Sequence, residues 1–180
     1  MKKAILMTAA CVLAASVGFI GCSKSAAADS SVIKIGVFEP MTGANAAGGA
    51  MEVEGIKLAN EMFPTVTVGG KEYKVELVIA DNKSDKVEAA NAAQRLLDKD
   101  RVSVILGSWG SSLSMAAGPL VMEAKVPAIG LSCTNPLVTL GNDYYFRVCF
   151  IDPFQGVVMA NYAYTVANAR TAVIVQEVSN

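Results

Sequence analysis

Apolar runs alternate along this chain with stretches in which apolar positions recur every three or four residues. The runs are VIKIGVF at 32–38, YKVELVIAD at 73–81, VSVILG at 102–107, VPAIGLS at 126–132 and TAVIVQE at 171–177. They are apolar on both faces and rich in Val and Ile, which predicts strands of a parallel sheet covered by helices. Between them, residues 48–62 carry Met51, Ile56, Ala59 and Met62, and residues 85–98 carry Val87, Ala90, Ala93 and Leu97 at helical spacing. Asp85 followed by Glu88 has the form of a capping box and gives the second helix its start. A third helix is expected over 111–125, kinked at Pro119, where one backbone donor is lost. A fourth is expected over 153–169, after a short YFRV strand. This order predicts an α/β fold, a doubly wound and mostly parallel sheet.

Ahead of the pattern stands MKKAILMTAACVLAASVGFIGC. Two lysines, an apolar run and small residues before Cys22 have the layout of an export signal. Thr8, Ser16 and Gly18 weaken the run, which falls short of the roughly 20 apolar residues that a membrane span needs. Phe19-Ile20-Gly21-Cys22 resembles a bacterial lipobox, in which the cysteine receives lipid and becomes the mature N-terminus. The expected division is a signal peptide over 1–21, lipidation at Cys22, and a polar, flexible tether over 22–31. Several acyl chains are needed for stable anchoring, since one holds only marginally. The mature protein is then exported to the periplasm or cell surface and anchored to a membrane.

Composition narrows the chemistry. Loss of Lys2 and Lys3 with the signal leaves 13 basic against 16 acidic residues, a formal charge of −3. The basic residues are scattered among acids, so no stripe for nucleic acid is present. Histidine is absent, which removes His-based acid–base catalysis, His metal ligation and every Ser-His or Cys-His nucleophile. No GxSxG elbow, GxGxxG or GxxxxGK[ST] loop occurs, and the GGK at 69–71 precedes a strand rather than a helix. The chain is read as a non-enzyme without cofactor or metal. Once Cys11 and Cys22 are set aside, Cys133 and Cys149 remain. They belong to no spaced disulfide framework and are expected as free thiols.

In an open parallel sheet, ligands lie beyond the carboxyl ends of the strands. Three loops stand there: EPMTGANAAGG after the first run, GSWGSS after the third and LSCTNP after the fourth. Gly110 lets the backbone turn closely, and Ser111 and Ser112 offer hydroxyls beside the amides of a helix start. A carboxylate would be well held there. Ser111 as a simple helix cap uses the same atoms, and both readings stand at this point. Ser132 and Thr134 add hydroxyls from the neighbouring loop, and Trp109 adds a flat apolar wall, a combination that suits an amino acid better than a phosphate.

IKIGVFEPMTGANAAGG, ELVIADNKSD, GSWGSS, AAGPLVMEAKVPAIGLSCTNP and YYFRVCFIDPFQG, in this order and spacing, resemble the type I periplasmic binding proteins of the leucine/isoleucine/valine-binding family. The resemblance implies a two-lobed receptor that closes on a branched-chain amino acid and hands it to an ABC-type permease. It implies that Trp109, Gly110 and Ser111 supply the apolar wall and the serine for the ligand carboxylate, and that Ser132, Cys133 and Thr134 meet the head group. It further implies that residues 32–150 form a first lobe completed by segments from further along the chain, that 151–180 begin the second, and that the sequence is an N-terminal fragment. Gly48 stands where many relatives have an aromatic residue, so one pocket wall is expected to be missing. A ligand-sensing domain of a receptor or regulator is the alternative function on the same fold.

Overall fold

The computed structural model describes residues 31–175. The expected signal peptide, Cys22 and all of the tether but Ser31 lie outside the described residues. The elements are β1 (Val32–Glu39), α1 (Ala46–Met62), β2 (Thr65–Val68), β3 (Lys71–Asp81), α2 (Lys86–Arg95), β4 (Val104–Leu106), α3 (Ser111–Ala124), β5 (Ala128–Gly130), β6 (Tyr145–Arg147) and α4 (Asp152–Thr165). They form one six-stranded sheet in the order β2-β3-β1-β4-β5-β6. All neighbours pair in parallel except β2, which runs antiparallel to β3. The doubly wound α/β reading therefore holds.

Side chains alternate across β1, so Phe38 and Val37 enter different cores. Phe38 packs with Ala89, Ala93 and Leu96 of the α2 region and with Leu113, Ala117 and Val121 of α3. Val37 packs with Val53 and Ile56 of α1. Small alanines on α2 let it sit close to the sheet and to α3, and each fully buried Val, Leu or Ile contributes about 1.5–3 kcal/mol. On the α1 face an apolar groove of about 460 Å³ remains open, lined by Ile35, Ile56, Phe63, Val75, Leu77 and Leu131 among others.

Four sequence expectations change. The hairpin strand β2 was not anticipated: its four residues are all exposed, so TVTV shows no buried alternation. Gly69 and Gly70 make its turn with φ of 58° and 79°, the left-handed pair that a tight two-residue hairpin requires. Residues 171–175 are not a strand; Val173, Ile174 and Val175 are exposed, and no neighbouring strand among the described residues offers them a ladder. The fourth helix ends at Thr165 rather than 169, with Asn168 at φ 52° just beyond. The capping box is half made: the Asp85 carboxylate accepts from the amides of Val87 and Glu88, while the Asp85 amide donates to the Asn82 carbonyl instead of the Glu88 side chain. The third helix is continuous through Pro119 from Ser111 to Ala124.

Candidate ligand-binding site

Chain order reverses around β1: the crossover from β1 leads to β3 on one side, and the next leads back to β4 on the other. The crevice beyond the carboxyl ends of β1 and β4 is thus the topological switch point, where a doubly wound sheet holds ligands. The first loop is fastened there by Asp81, at the end of β3. Its carboxylate accepts from the amides of Met41 (2.8 Å) and Lys83 (2.8 Å) and from the Thr42 hydroxyl (2.7 Å). Burial opposes its charge, but the Thr42 hydroxyl and these amides outweigh that and hold the carboxyl below its ordinary range.

The four serines of residues 106–114 divide into two roles. Ser108 and Ser114 are fully buried and lock the loop. The Ser108 amide donates to Ser114 Oγ at 3.1 Å, Ser114 Oγ donates to the Ser108 carbonyl at 3.0 Å, and Asn82 Nδ2 donates to Ser108 Oγ at 2.8 Å. Ser111 and Ser112 are the first residues of α3, whose cap is Gly110 at φ 95° with no side-chain cap bond. The capping reading of Ser111 therefore fails. Its hydroxyl oxygen instead accepts the Asn135 amide at 3.1 Å, which ties the GSWGSS loop to the LSCTNP loop while leaving its own proton to donate.

Trp109 is half-buried, and its indole lies across Gly48 on α1. A Cβ built on Gly48 would come within 2.3 Å of Trp109 Cε2. The indole thus fills the space beside Gly48 that a side chain at that position would take.

In the third loop the residues differ in what they can offer. Ser132 donates its hydroxyl proton to Glu52, which leaves its oxygen only as an acceptor. Cys133 is fully buried and unbridged; burial, then the neighbouring Cys149, push its thiol up to about 11, and Cys149 is likewise free. Thr134 is half-buried, and its carbonyl accepts the Asp152 amide at 3.0 Å. No hydrogen bond to its hydroxyl is present among the described residues.

Three supporting groups escaped the sequence reading. Arg147 of β6 donates to the carbonyls of Cys133 (2.7 Å), Asn135 (3.0 Å) and Pro136 (3.2 Å) and to Thr139 Oγ1 (2.8 Å), which shapes the whole third loop. Two residues earlier on the same face of that strand, Tyr145 donates its hydroxyl to the Gly107 carbonyl at 2.7 Å and holds the second loop. Glu39, the last residue of β1, is fully buried and accepts the Trp109 amide at 2.7 Å. A carboxylate directly after an apolar central strand was the available signal for Glu39; Arg147 and Tyr145 gave none, because their partners are distant carbonyls.

Over residues 32–180 the chain matches the Periplasmic binding protein family. It belongs to that family, the type I group of solute-binding proteins, which are exported and are not enzymes. Among its relatives, the amino acid binding protein of Pseudomonas aeruginosa PAO1 is 34% identical over 178 residues, covering 98% of this chain and 46% of that protein. Leucine binding protein LivK from Thermotoga maritima MSB8 is 50% identical in its crystal structure, with a TM-score of 0.71 over 77% of this chain and 39% of that one. The branched-chain amino acid transporter substrate binding protein LivJ from Streptococcus pneumoniae, solved with isoleucine, is 35% identical with a TM-score of 0.69 over the same shares. The chain spans somewhat less than half the length of these relatives.

Proposed function

We propose that residues 32–150 are the first lobe of an extracytoplasmic receptor that captures a branched-chain amino acid and delivers it to an ABC-type permease. The observation that carries this reading is the junction of two loops at the switch point. Ser111 Oγ accepts the Asn135 amide, which leaves its proton to donate to a carboxylate, and the Thr134 hydroxyl stands in the same linked loop. Trp109 supplies the apolar wall for an aliphatic side chain. The second lobe begins at residue 151 with α4, whose Phe154, Val157, Met159 and Tyr162 are all exposed. The open groove beside α1 takes a segment returning from the remainder of the receptor.

Calorimetric titration of the full-length receptor with leucine, isoleucine and valine tests the assignment. Ser111→Ala is expected to weaken binding by about 1–3 kcal/mol, the range for stranding a charged group's partner. Stability falls less, by about 1 kcal/mol, because only the Asn135 amide loses its acceptor. Undiminished affinity in Ser111→Ala, or binding confined to ligands that lack a carboxylate, rules the assignment out.

Membrane attachment is proposed to run through lipid on Cys22. Intact-mass measurement should show a lipid-modified N-terminus at Cys22, and Cys22→Ser should give an unprocessed or unanchored product. Cleavage at another residue without lipid would dismiss the anchor.

A further inference from the structure

Glu39 has an unusual environment for a carboxyl group. It is fully buried, and no ion pair joins it to a basic side chain among the described residues. Isolated burial of that charge is costly. One of its oxygens, Oε2, accepts the Trp109 amide; the other, Oε1, is buried with no donor. Glu52 on α1 mirrors it, with Oε1 accepting the Ser132 hydroxyl and Oε2 buried with no donor. The two carboxyl groups face each other as like charges, and a hydrogen bond between them requires a proton on one. One shared proton satisfies both orphaned oxygens and leaves the pair with a single negative charge.

Through its other oxygens the pair reaches both loops of the proposed first-lobe site: the backbone of Trp109 in the second loop and the hydroxyl of Ser132 in the third. We propose that the Glu39–Glu52 pair is a proton-dependent positioning device for the ligand site, holding both loops in place while it keeps its proton and releasing them when the proton is lost. This rests on the amino-acid-binding assignment of those loops.

The direction follows from the surroundings. Burial first, then the Glu52 charge and the shared hydrogen bond, push the Glu39 carboxyl up to about 9, against the opposing pull of the Trp109 amide and Ser108 hydroxyl. The order in the loops is therefore complete at and below neutral pH and is lost as pH rises through that value. Three neighbouring groups with shifted titrations change charge outside this step. Tyr145 of β6 is pushed further up, chiefly by burial, and Cys133 of the third loop reaches about 11. Asp81, opposite Glu39 on β3, is already ionised and committed to the first loop.

Trp109 is the single tryptophan of residues 1–180, and the difference in emission between the full-length receptor and its Trp109→Phe variant reports on the second loop without any ligand. The full-length receptor is titrated from about pH 6 to about pH 10, and its leucine affinity is measured over the same range. In wild type the emission should change in an alkaline step, and the Kd should rise at least about five-fold more than in Glu39→Gln, a shift well above calorimetric error. Glu39→Gln should lose the emission step, because a neutral amide donates to Glu52 and still accepts from Trp109. Its residual Kd slope gives the titration of the ligand's own ammonium group. Glu52→Gln should move the emission step to lower pH by removing the like charge, and it serves as the test if Glu39→Gln fails to fold. Superimposable wild-type and Glu39→Gln curves, or an unmoved step in Glu52→Gln, overturn the proposal. A wild type that binds no leucine, isoleucine or valine at any pH defeats the amino-acid assignment instead, while the ligand-free emission step still decides whether the pair governs the loop.

Discussion

Arg147→Ala is expected to lower stability by about 2–4 kcal/mol and to weaken ligand binding at least about ten-fold, the larger effect on the third loop of any single truncation. The guanidinium makes four hydrogen bonds to groups between Cys133 and Thr139, three of them to backbone carbonyls. Alanine leaves those carbonyls to be solvated, and the loop has no ladder of its own to replace them. Thr134 lies between two of the residues held, so its hydroxyl loses its direction together with the loop. Arg147→Lys should recover only part of either quantity, because an ammonium cannot reproduce a planar fork over several acceptors. Thermal denaturation and calorimetry on the same variants separate the two effects. A lowered melting temperature with intact affinity would mean that the loop keeps its ligand-facing shape unaided.

The contrast between what the sequence reveals and what it hides is clear at this strand. Strands β1 and β4 and helices α1 to α3 were legible because their burial is written as local periodicity, and local periodicity is what a single sequence displays. The loops around Trp109, Ser111 and Thr134 were legible because a doubly wound sheet puts its ligand at strand ends, and few strand ends are available. Arg147 was not, because its function is defined by carbonyls that carry no side-chain signature. Glu39 and Glu52 lie 13 positions apart, on a strand and a helix, and meet only when α1 packs on β1. The edge strand β2 was hidden for the opposite reason: it buries nothing, so neither face selects apolar residues. Ser111 shows the limit of local rules most directly. A serine at a helix start predicts a cap, yet the tertiary contact with Asn135 claims that hydroxyl, and a glycine takes the cap position.

Gly48 provides the second large expected effect, and its sign distinguishes a structural glycine from a functional one. Alanine is favoured over glycine in a helix interior by about 1 kcal/mol, so Gly48→Ala on an unobstructed face of α1 would stabilise the protein. Here the added Cβ meets Trp109 at 2.3 Å from Cε2, 2.4 Å from Nε1 and 2.6 Å from Cδ2, all inside the contact distance that real Cβ atoms keep. The ring cannot retreat freely, since the Trp109 amide is held by Glu39 and the next residue caps α3. Gly48→Ala should therefore destabilise by about 1–3 kcal/mol, the usual range for overpacking, and shift the tryptophan emission as the indole is displaced. Leucine affinity should fall about ten-fold or more, because the displaced ring is the proposed apolar wall. Trp109→Ala should weaken binding to a similar extent for the simpler reason that the wall is gone. The decisive variant combines the two, Gly48→Trp with Trp109→Ala, which moves the aromatic to the α1 side of the same space. If residues 48 and 109 share one site, the double variant binds leucine better than Trp109→Ala alone, giving a coupling energy of about 0.5–3 kcal/mol. Additive losses in calorimetry would show that the indole packs against Gly48 without forming a wall of the ligand site.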